Sequence, residues 1–279
     1  MTHSVALAMQ CFLLLMLLTM VFAQPMERSL YLTGKHHLNV VSIRTRKHIR
    51  HWGDNHFCAG SILSARWVLT SGCCVSTLPA STPSKASTRK NLRVVLFTRR
   101  RLKRPAEKNI FGVEQVVFDK VGDGDCSKLA LLKLERPIIG QRGAMKLPTQ
   151  KMNTTWLCRT LGWGRIYFNG PYSNDLLLLT TQESPDCKAN CEGCLCMGSY
   201  TGRGNMCQLD LGSPLFCGDF VYGVAHQAHN SEEEGFMVYT STFHKLKFIE
   251  STLNSARSQR KCREVVIIIT LTLNWVLMA

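Results

Sequence analysis

Along most of the chain, apolar residues come in short runs and not in long stripes. Residues 39–43, 92–98, 113–118 and 220–225 are rich in Val, Ile, Leu and Phe, and clusters of Gly, Pro, Ser and Lys separate them. β-Branched and aromatic side chains fit a pleated surface, and runs this short between turn residues predict strands. One helical pattern stands near the end. Phe243, Leu246, Phe248, Ile249 and Leu253 recur at three- and four-residue intervals, which turns Lys245, Lys247 and Glu250 outward. The patterning predicts an all-β domain followed by a C-terminal helix.

Two further apolar stretches lie outside this pattern. Cys11 to Phe22 leads into Val21-Phe22-Ala23, whose small last residue suits signal-peptidase cleavage after Ala23; His3 precedes the run, without Lys or Arg. The run is short and a polar segment follows it, so it fits a membrane span poorly. Val265 to Ala279 is apolar apart from Thr270, Thr272 and Asn274. Small residues at Asn254-Ser255-Ala256, a spacer from Arg257 to Glu264 and this tail have the layout of a glycolipid-anchor signal. A spanning helix fits less well, because the tail is thin and lacks a basic flank. The expected organisation is a signal peptide at 1–23, a short segment at 24–34, one domain at 35–256, and a basic spacer with hydrophobic tail at 257–279.

Composition agrees with export. Thirteen cysteines in 279 residues would be unusual in a reducing cytosol and read as a disulfide framework. Losing Cys11 with the signal leaves twelve, and losing Cys262 with the tail leaves an odd eleven, so parity favours a retained tail. The expected location is secreted, with a cell-surface tether as the variant.

The formal charge of +15 is unevenly spread. Arg99, Arg100, Arg101, Lys103 and Arg104 form a basic loop, with Lys90 and Arg93 just before it. Outside the cell such a run meets sulfated glycans, acidic lipid or an acidic protein, and nucleic acid is a poor fit. Two other readings stand: Arg101-Leu102-Lys103-Arg104 has the form of a convertase cleavage site, and a basic loop is often just a solvated surface. Asn153-Thr154-Thr155 is a glycosylation sequon.

Six motifs then follow in order. They are Phe57-Cys58-Ala59-Gly60-Ser61, continued by Trp67-Val68-Leu69-Thr70-Ser71-Gly72-Cys73-Cys74; Lys128-Leu129-Ala130-Leu131-Leu132-Lys133-Leu134; Cys158-Arg159-Thr160-Leu161-Gly162-Trp163-Gly164; Cys196-Met197-Gly198; Cys207-Gln208-Leu209-Asp210-Leu211-Gly212-Ser213-Pro214-Leu215-Phe216-Cys217; and Gly235-Phe236-Met237-Val238-Tyr239-Thr240. Together they resemble the trypsin-like serine proteases of the chymotrypsin class, over most of the chain. That resemblance implies two six-stranded antiparallel barrels with a C-terminal helix.

It also implies a degenerate active site. Leu211 stands at the nucleophile position, Cys73 at that of the catalytic histidine, and Lys128 at that of the carboxylate that orients it. Leucine has no atom that attacks a carbonyl, a thiol is no substitute for an imidazole base, and lysine has the wrong charge to support an imidazolium. Leu209 matches the oxyanion-hole glycine, His226-Gln227-Ala228 the substrate-pairing strand, and Asn205 the floor of the specificity pocket. The activation sequence is missing from Glu27 to Gly34, which leaves Asp210 a structural role as a buried hydrogen-bond acceptor.

By the same resemblance, Cys58 pairs with Cys74, Cys158 with Cys217, and Cys187 with Cys196. Cys207 has lost its usual partner and takes Cys191 or Cys194, or stays free. Cys73 and Cys126 are expected to bridge across the dead site. The dense cysteines from Cys187 to Cys196 might be mistaken for a zinc knuckle, but export favours disulfides, so no metal and no cofactor are expected. A thiol nucleophile at Cys73 or a base at His226 is the less favoured enzyme reading. The expected function is that of an inactive protease homologue which binds an extracellular protein, such as a protease or inhibitor. A glycan- or membrane-surface adhesion role through residues 99–104 is the alternative.

Overall fold

The structure, a computed structural model, describes residues 35–76, 90–119, 128–140, 144–184, 191–199, 207–229 and 236–256. Its twelve strands close into two six-stranded antiparallel barrels. Around the first run β1 (Val40–Thr45), β2 (His56–Ser64), β3 (Trp67–Ser71), β6 (Leu129–Leu134), β5 (Ile110–Phe118) and β4 (Leu92–Val95). Around the second run β10 (Pro214–Cys217), β11 (Phe220–His229), β12 (Phe236–Ser241), β9 (Cys194–Ser199), β8 (Leu177–Glu183) and β7 (Cys158–Gly162). The strands expected from the apolar runs are all present. A single turn of helix, α1 (Cys73–Ser76), follows β3 and was too short to leave a periodic signal.

Several strands are buried on both faces, which is why their sequences read as continuous apolar runs. All five residues of β3 are buried, as are all but one in β6. One side of each fills a barrel and the other meets its neighbour. Val41, Ile43, Val68, Val94, Phe111 and Leu132 belong to the core of the first barrel, and Leu195, Met197, Leu215 and Tyr239 to that of the second. A third cluster joins Val40 and Ala59 of the first barrel to Leu161, Trp163 and Phe216 of the second. Burying this apolar surface, at roughly 25 cal/mol per Å², holds the barrels together.

The C-terminal helix, α2, covers residues 246–256. Its Ile249 is fully buried in a cluster with Leu63, Trp67, Leu69, Leu129, Leu131 and Val224, and Phe248 and Leu253 pack beside it. The apolar stripe therefore docks as expected. Lys245 does not face solvent as expected: its Nζ lies 2.7 Å from Asp119 Oδ2, with both side chains largely buried. A buried carboxylate at the end of β5 needs a cation, and the turn leading into the helix supplies one.

Two disulfides are those the resemblance implied. Cys58–Cys74 ties β2 to α1, and Cys158–Cys217 ties β7 to β10. The leader, the segment at 24–34 and the spacer with its tail lie outside the described residues. Among the described residues, no helix is long and apolar enough to cross a membrane.

Gly212 is the tightest point between the barrels. Its φ is +83°, its N–H donates to Ala225 O at 2.7 Å, and a Cβ there would collide with Ala59 O and Thr70 Oγ1. Left-handed backbone strain and overpacking act together at this site. Gly212→Ala is expected to lower the unfolding free energy by about 3 kcal/mol; urea denaturation of the purified chain measures it.

Candidate functional site

The loop from Cys207 to Ser213 lies where the two barrels meet, and local hydrogen bonds shape it. Gln208–Asp210 is a turn of 3-10 helix, in which Asp210 Oδ2 accepts the backbone N–H of Cys207 at 2.9 Å. Asp210 is fully buried, and β7 contributes Gly162 against it because any Cβ there would meet the carboxyl oxygen. Burial pushes the Asp210 carboxyl up to about 6, while backbone N–H groups of Cys207, Gly164 and Trp163 partly hold it down. Asp210 thus has the structural place expected of it. Cys207 is a free, buried thiol. Burial and the neighbouring Asp210 raise it to about 12, so it stays protonated and is a poor nucleophile.

Leu211 follows this turn. Its carbonyl accepts the N–H of Ala59 on β2 at 2.7 Å, and its half-buried side chain packs on the core of the first barrel. Leu209 is half-buried in the same turn. Cys73 begins α1, is buried and is disulfide-bonded; Cys126, the partner expected for it, lies outside the described residues. The Cys73 Sγ is 3.8 Å from the carbonyl oxygen of His226 on β11. Lys128 precedes β6, half-buried, and its carbonyl accepts the N–H of Gly72 at 2.7 Å. The structure thus gathers Cys73, Lys128 and Leu211 around the junction of β2, β3 and β11.

His226 is buried in the same region. Its Nδ1 is 3.0 Å from Thr240 Oγ1 and its Nε2 is 3.8 Å from Cys191 Sγ. Burial lowers it to about 4, so the imidazole is neutral at physiological pH. Cys191 is bridged to Cys194, three residues away. This corrects the expectation that one of these two could serve Cys207: a turn of four residues brings their sulfurs together before Cys207 can reach either. Cys191, Cys194 and His226 place ligand atoms within 4.8 Å of one another. While the sulfurs are bonded to each other, they offer a metal no thiolate. Cys196 is buried and disulfide-bonded, and its expected partner Cys187 lies outside the described residues, as does Asn205.

The basic run is a strap laid across the second barrel. The Arg99 carbonyl accepts from Trp163 Nε1 at 3.1 Å and from the N–H of Leu176 at 2.8 Å, and Arg101 N–H donates to Asn174 O. Arg99, Arg100, Lys103 and Arg104 are exposed, Arg100 being 3.4 Å from Asp175 and Arg104 3.1 Å from Glu107. Arg101 is not a surface binding residue. It is 9% exposed, and its guanidinium donates to Ser173 O at 3.2 Å and Gly53 O at 3.1 Å. Those carbonyls sit where the two barrels meet, and only a long side chain with several donors spans between them. Asn153 is exposed, with its Oδ1 accepting from Thr155.

Sequence reading passed over a polar group beneath this strap. His56 is buried, with Nδ1 2.8 Å from Ser42 Oγ and its ring edge-on to Trp163 at 5.1 Å. Arg44, also buried, donates to Ser42 Oγ at 2.8 Å and to Arg101 O at 2.9 Å. Burial, followed by the charges of Arg44 and Arg101, holds His56 well below the usual imidazole range.

Two six-stranded barrels with their loops converging between them define a trypsin-like architecture. The trypsin family profile matches residues 34–249, and the chain belongs to that family. Snake venom serine protease KN11 from Trimeresurus stejnegeri is 26% identical over 258 residues, covering 86% of this chain and 93% of that protein. The thrombin-like enzyme acutin from Deinagkistrodon acutus is 26% identical and covers 71% of this chain and 85% of its own length. Among solved structures, a mutant of human heparin binding protein superposes with a TM-score of 0.62 at 23% identity, over 79% of this chain and 94% of that one.

The Asp210 carboxyl generates a pH dependence of definite sign. Its folded value near 6 lies above the ordinary 3.8, so its contribution to stability is present in acid and is lost as pH rises from about 4 through 6. Neutral buried His226 and His56 act oppositely, losing their contribution as pH falls below 6.5. Comparison with Asp210→Asn isolates the carboxyl. The unfolding free energy of the parent relative to this variant is expected to fall by on the order of 3 kcal/mol between pH 4 and pH 7; denaturant titrations across that range measure it.

Proposed function

We propose that this chain is a non-catalytic member of the trypsin family that acts outside the cell by binding a protein partner, such as an active protease or its inhibitor. The observation that carries this reading is the placement of Leu211, whose hydrocarbon side chain rests on the core of the first barrel at the turn where the family resemblance locates the nucleophile. Cys73 supports it, because a sulfur held in a disulfide is neither base nor nucleophile. His226 supports it too: one ring nitrogen meets Thr240, and the other faces the Cys191–Cys194 bridge. A catalytic imidazole has to face a nucleophile. On this reading the leader is removed on export, and the tail tethers the protein through a glycolipid.

A fluorophosphonate probe is expected to leave the protein unlabelled, and a thiol probe is expected to leave Cys73 unmodified. Leu211→Ser is expected to stay unlabelled and inert toward peptide substrates, since a serine alone lacks the base and its orienting carboxylate. Stoichiometric labelling of the parent chain by the fluorophosphonate, or of Cys73 by the thiol probe, would sink the reading.

A second reading, binding of sulfated glycans, is favoured by the exposed Arg99, Arg100, Lys103 and Arg104 on the strap and by the likeness to a heparin binding protein. Elution of the parent from immobilised heparin is expected to need more salt than elution of a chain with Arg99, Arg100 and Lys103 all changed to Ala. Equal elution would reject this reading.

A further inference from the structure

Between β1, β4 and the loop at 46–55, the first barrel holds a cavity of about 200 Å³. Arg44, Arg46, Trp52, Asn55, Arg93 and Arg104 line it. Glu107 is also part of the lining, so four guanidinium groups meet one carboxylate, which is already 3.1 Å from Arg104. Arg46 and Arg104 are exposed at its edge, and Arg93 is half-buried.

Arg44 forms the back of the cavity. It is 1% exposed, and a register shift between Ile43 and Arg44 in the pairing of β1 with β2 re-aims its side chain. Its Nε and Nη2 donate to neutral oxygens of Ser42 and Arg101, and Nη1 has no hydrogen-bond partner. Burial and the nearby charge of Arg101 lower it to about 10. A buried charge is ordinarily paired, because its desolvation is costly. Here the charge that acts on it, that of Arg101, has the same sign. Arg44 also stands directly opposite Arg93 in the β1–β4 ladder, where like charges repel unless an anion lies between them.

Two more lining residues carry buried polar atoms without hydrogen-bond partners. Trp52 Nε1 is a donor, and both the Arg44 and Arg104 guanidinium groups lie 5.1 Å from its ring centre. Asn55 Oδ1 is an acceptor, and its orientation is set because Nδ2 donates to Thr45 O at 2.6 Å. The first two groups are donors and take acceptor oxygens, the third takes a donor such as a hydroxyl, and the excess of guanidinium groups in the lining favours an acceptor that carries negative charge. A cavity of this size is below that of most drug-like ligands and suits a unit no larger than one sugar.

We propose that this cavity is a binding site for a single oxyanion ester of a small polyol, such as a sulfated or phosphorylated monosaccharide. The ester oxygens bridge Arg44 Nη1, Arg93 and Trp52 Nε1, and a ring hydroxyl donates to Asn55 Oδ1. The site shares Arg104 with the strap but not Arg99, Arg100 or Lys103, and it stands whether or not the chain is catalytic.

Calorimetry on the full-length secreted chain tests it with glucosamine 6-sulfate, glucose 6-phosphate, inorganic sulfate, inorganic phosphate and glucose, at matched ionic strength. Both sugar esters are expected to bind at one site, at least tenfold more tightly than the inorganic anions, and glucose is expected not to bind. A sulfate preference points to glycan termini, and a phosphate preference to soluble sugar phosphates. Arg44→Lys, which keeps the charge but loses the planar fork, is expected to weaken the ester at least tenfold. Trp52→Phe, which keeps a ring but removes Nε1–H, is expected to weaken it several-fold. If Arg44→Lys fails to fold, Trp52→Phe and Arg104→Ala decide, because both residues lie nearer the surface. The chain with Arg99, Arg100 and Lys103 changed to Ala is expected to bind the ester as the parent does. Inorganic sulfate or phosphate binding as tightly as the sugar esters, unchanged affinity in Trp52→Phe and Arg104→Ala, or loss of the ester in the strap variant would overturn the proposal.

Discussion

The fold depends on a pair of backbone hydrogen bonds through adjacent residues of one loop. Leu211 accepts from Ala59 of the first barrel, and Gly212 donates to Ala225 of the second. One peptide unit therefore joins both barrels, and it does so without using either side chain. Gly212 must be glycine because Ala59 and Thr70 close over it, whereas the Leu211 side chain contributes only its packing on the core of the first barrel. The loop that a protease uses to present a nucleophile is also the joint that holds the architecture, so the joint persists when a leucine replaces the nucleophile. Asp210 serves the same joint from below, accepting the Cys207 N–H and filling the space that Gly162 leaves.

The interface between the barrels is more polar than an apolar seam requires. Arg44, Arg101 and the neutral imidazole of His56 lie within it, and the neutral oxygens that accept from the two arginines are carbonyls and a hydroxyl. Hydrogen bonds of this kind offset part of the desolvation cost of a guanidinium but leave its charge uncompensated. For Arg101 the geometry accounts for the cost, since it draws the strap, the Gly53 turn and the Ser173 loop to one point. For Arg44 it does not, because one of its nitrogens faces a cavity. The contrast between two buried arginines in one network separates a structural cation from one placed for a ligand.

How much of this was legible in the chain follows from the range over which each signal acts. Strands such as 92–95 and 129–134 declared themselves because burial on both faces leaves dense β-branched and leucine-rich runs, and Cys58–Cys74 and Cys158–Cys217 fell on positions the family pattern specifies. Charge was read less well. Lys245 and Arg101 looked solvent-facing by local pattern, yet one meets Asp119 and the other the carbonyls of Gly53 and Ser173, partners 126 or fewer residues away that no local window contains. The Cys191–Cys194 bridge was missed because the family pattern supplies no such pair. Arg93 was read only as a flank of the basic loop and Arg44, Trp52 and Asn55 carried no signal, because nothing in their spacing shows that a bulge and a strand pairing bring them to one cavity.

On the proposed reading, loss of catalysis and gain of a binding site place different demands on the same scaffold. A protease cleft needs its reactive groups between the barrels, where the loops from both can adjust them. In this chain that region is occupied by Leu211 packed on the core, a disulfide-bonded Cys73 and an imidazole held neutral by burial, all of which stiffen it. The strap holds Arg101 against Ser173 and, through the Arg101 carbonyl, the guanidinium of Arg44. The element that results is a preorganised cation at the back of a cavity, which does not have to be ordered when an anion arrives. The basic strap thus serves the arginine pocket twice, through the Arg101 carbonyl and through Arg104 in the lining.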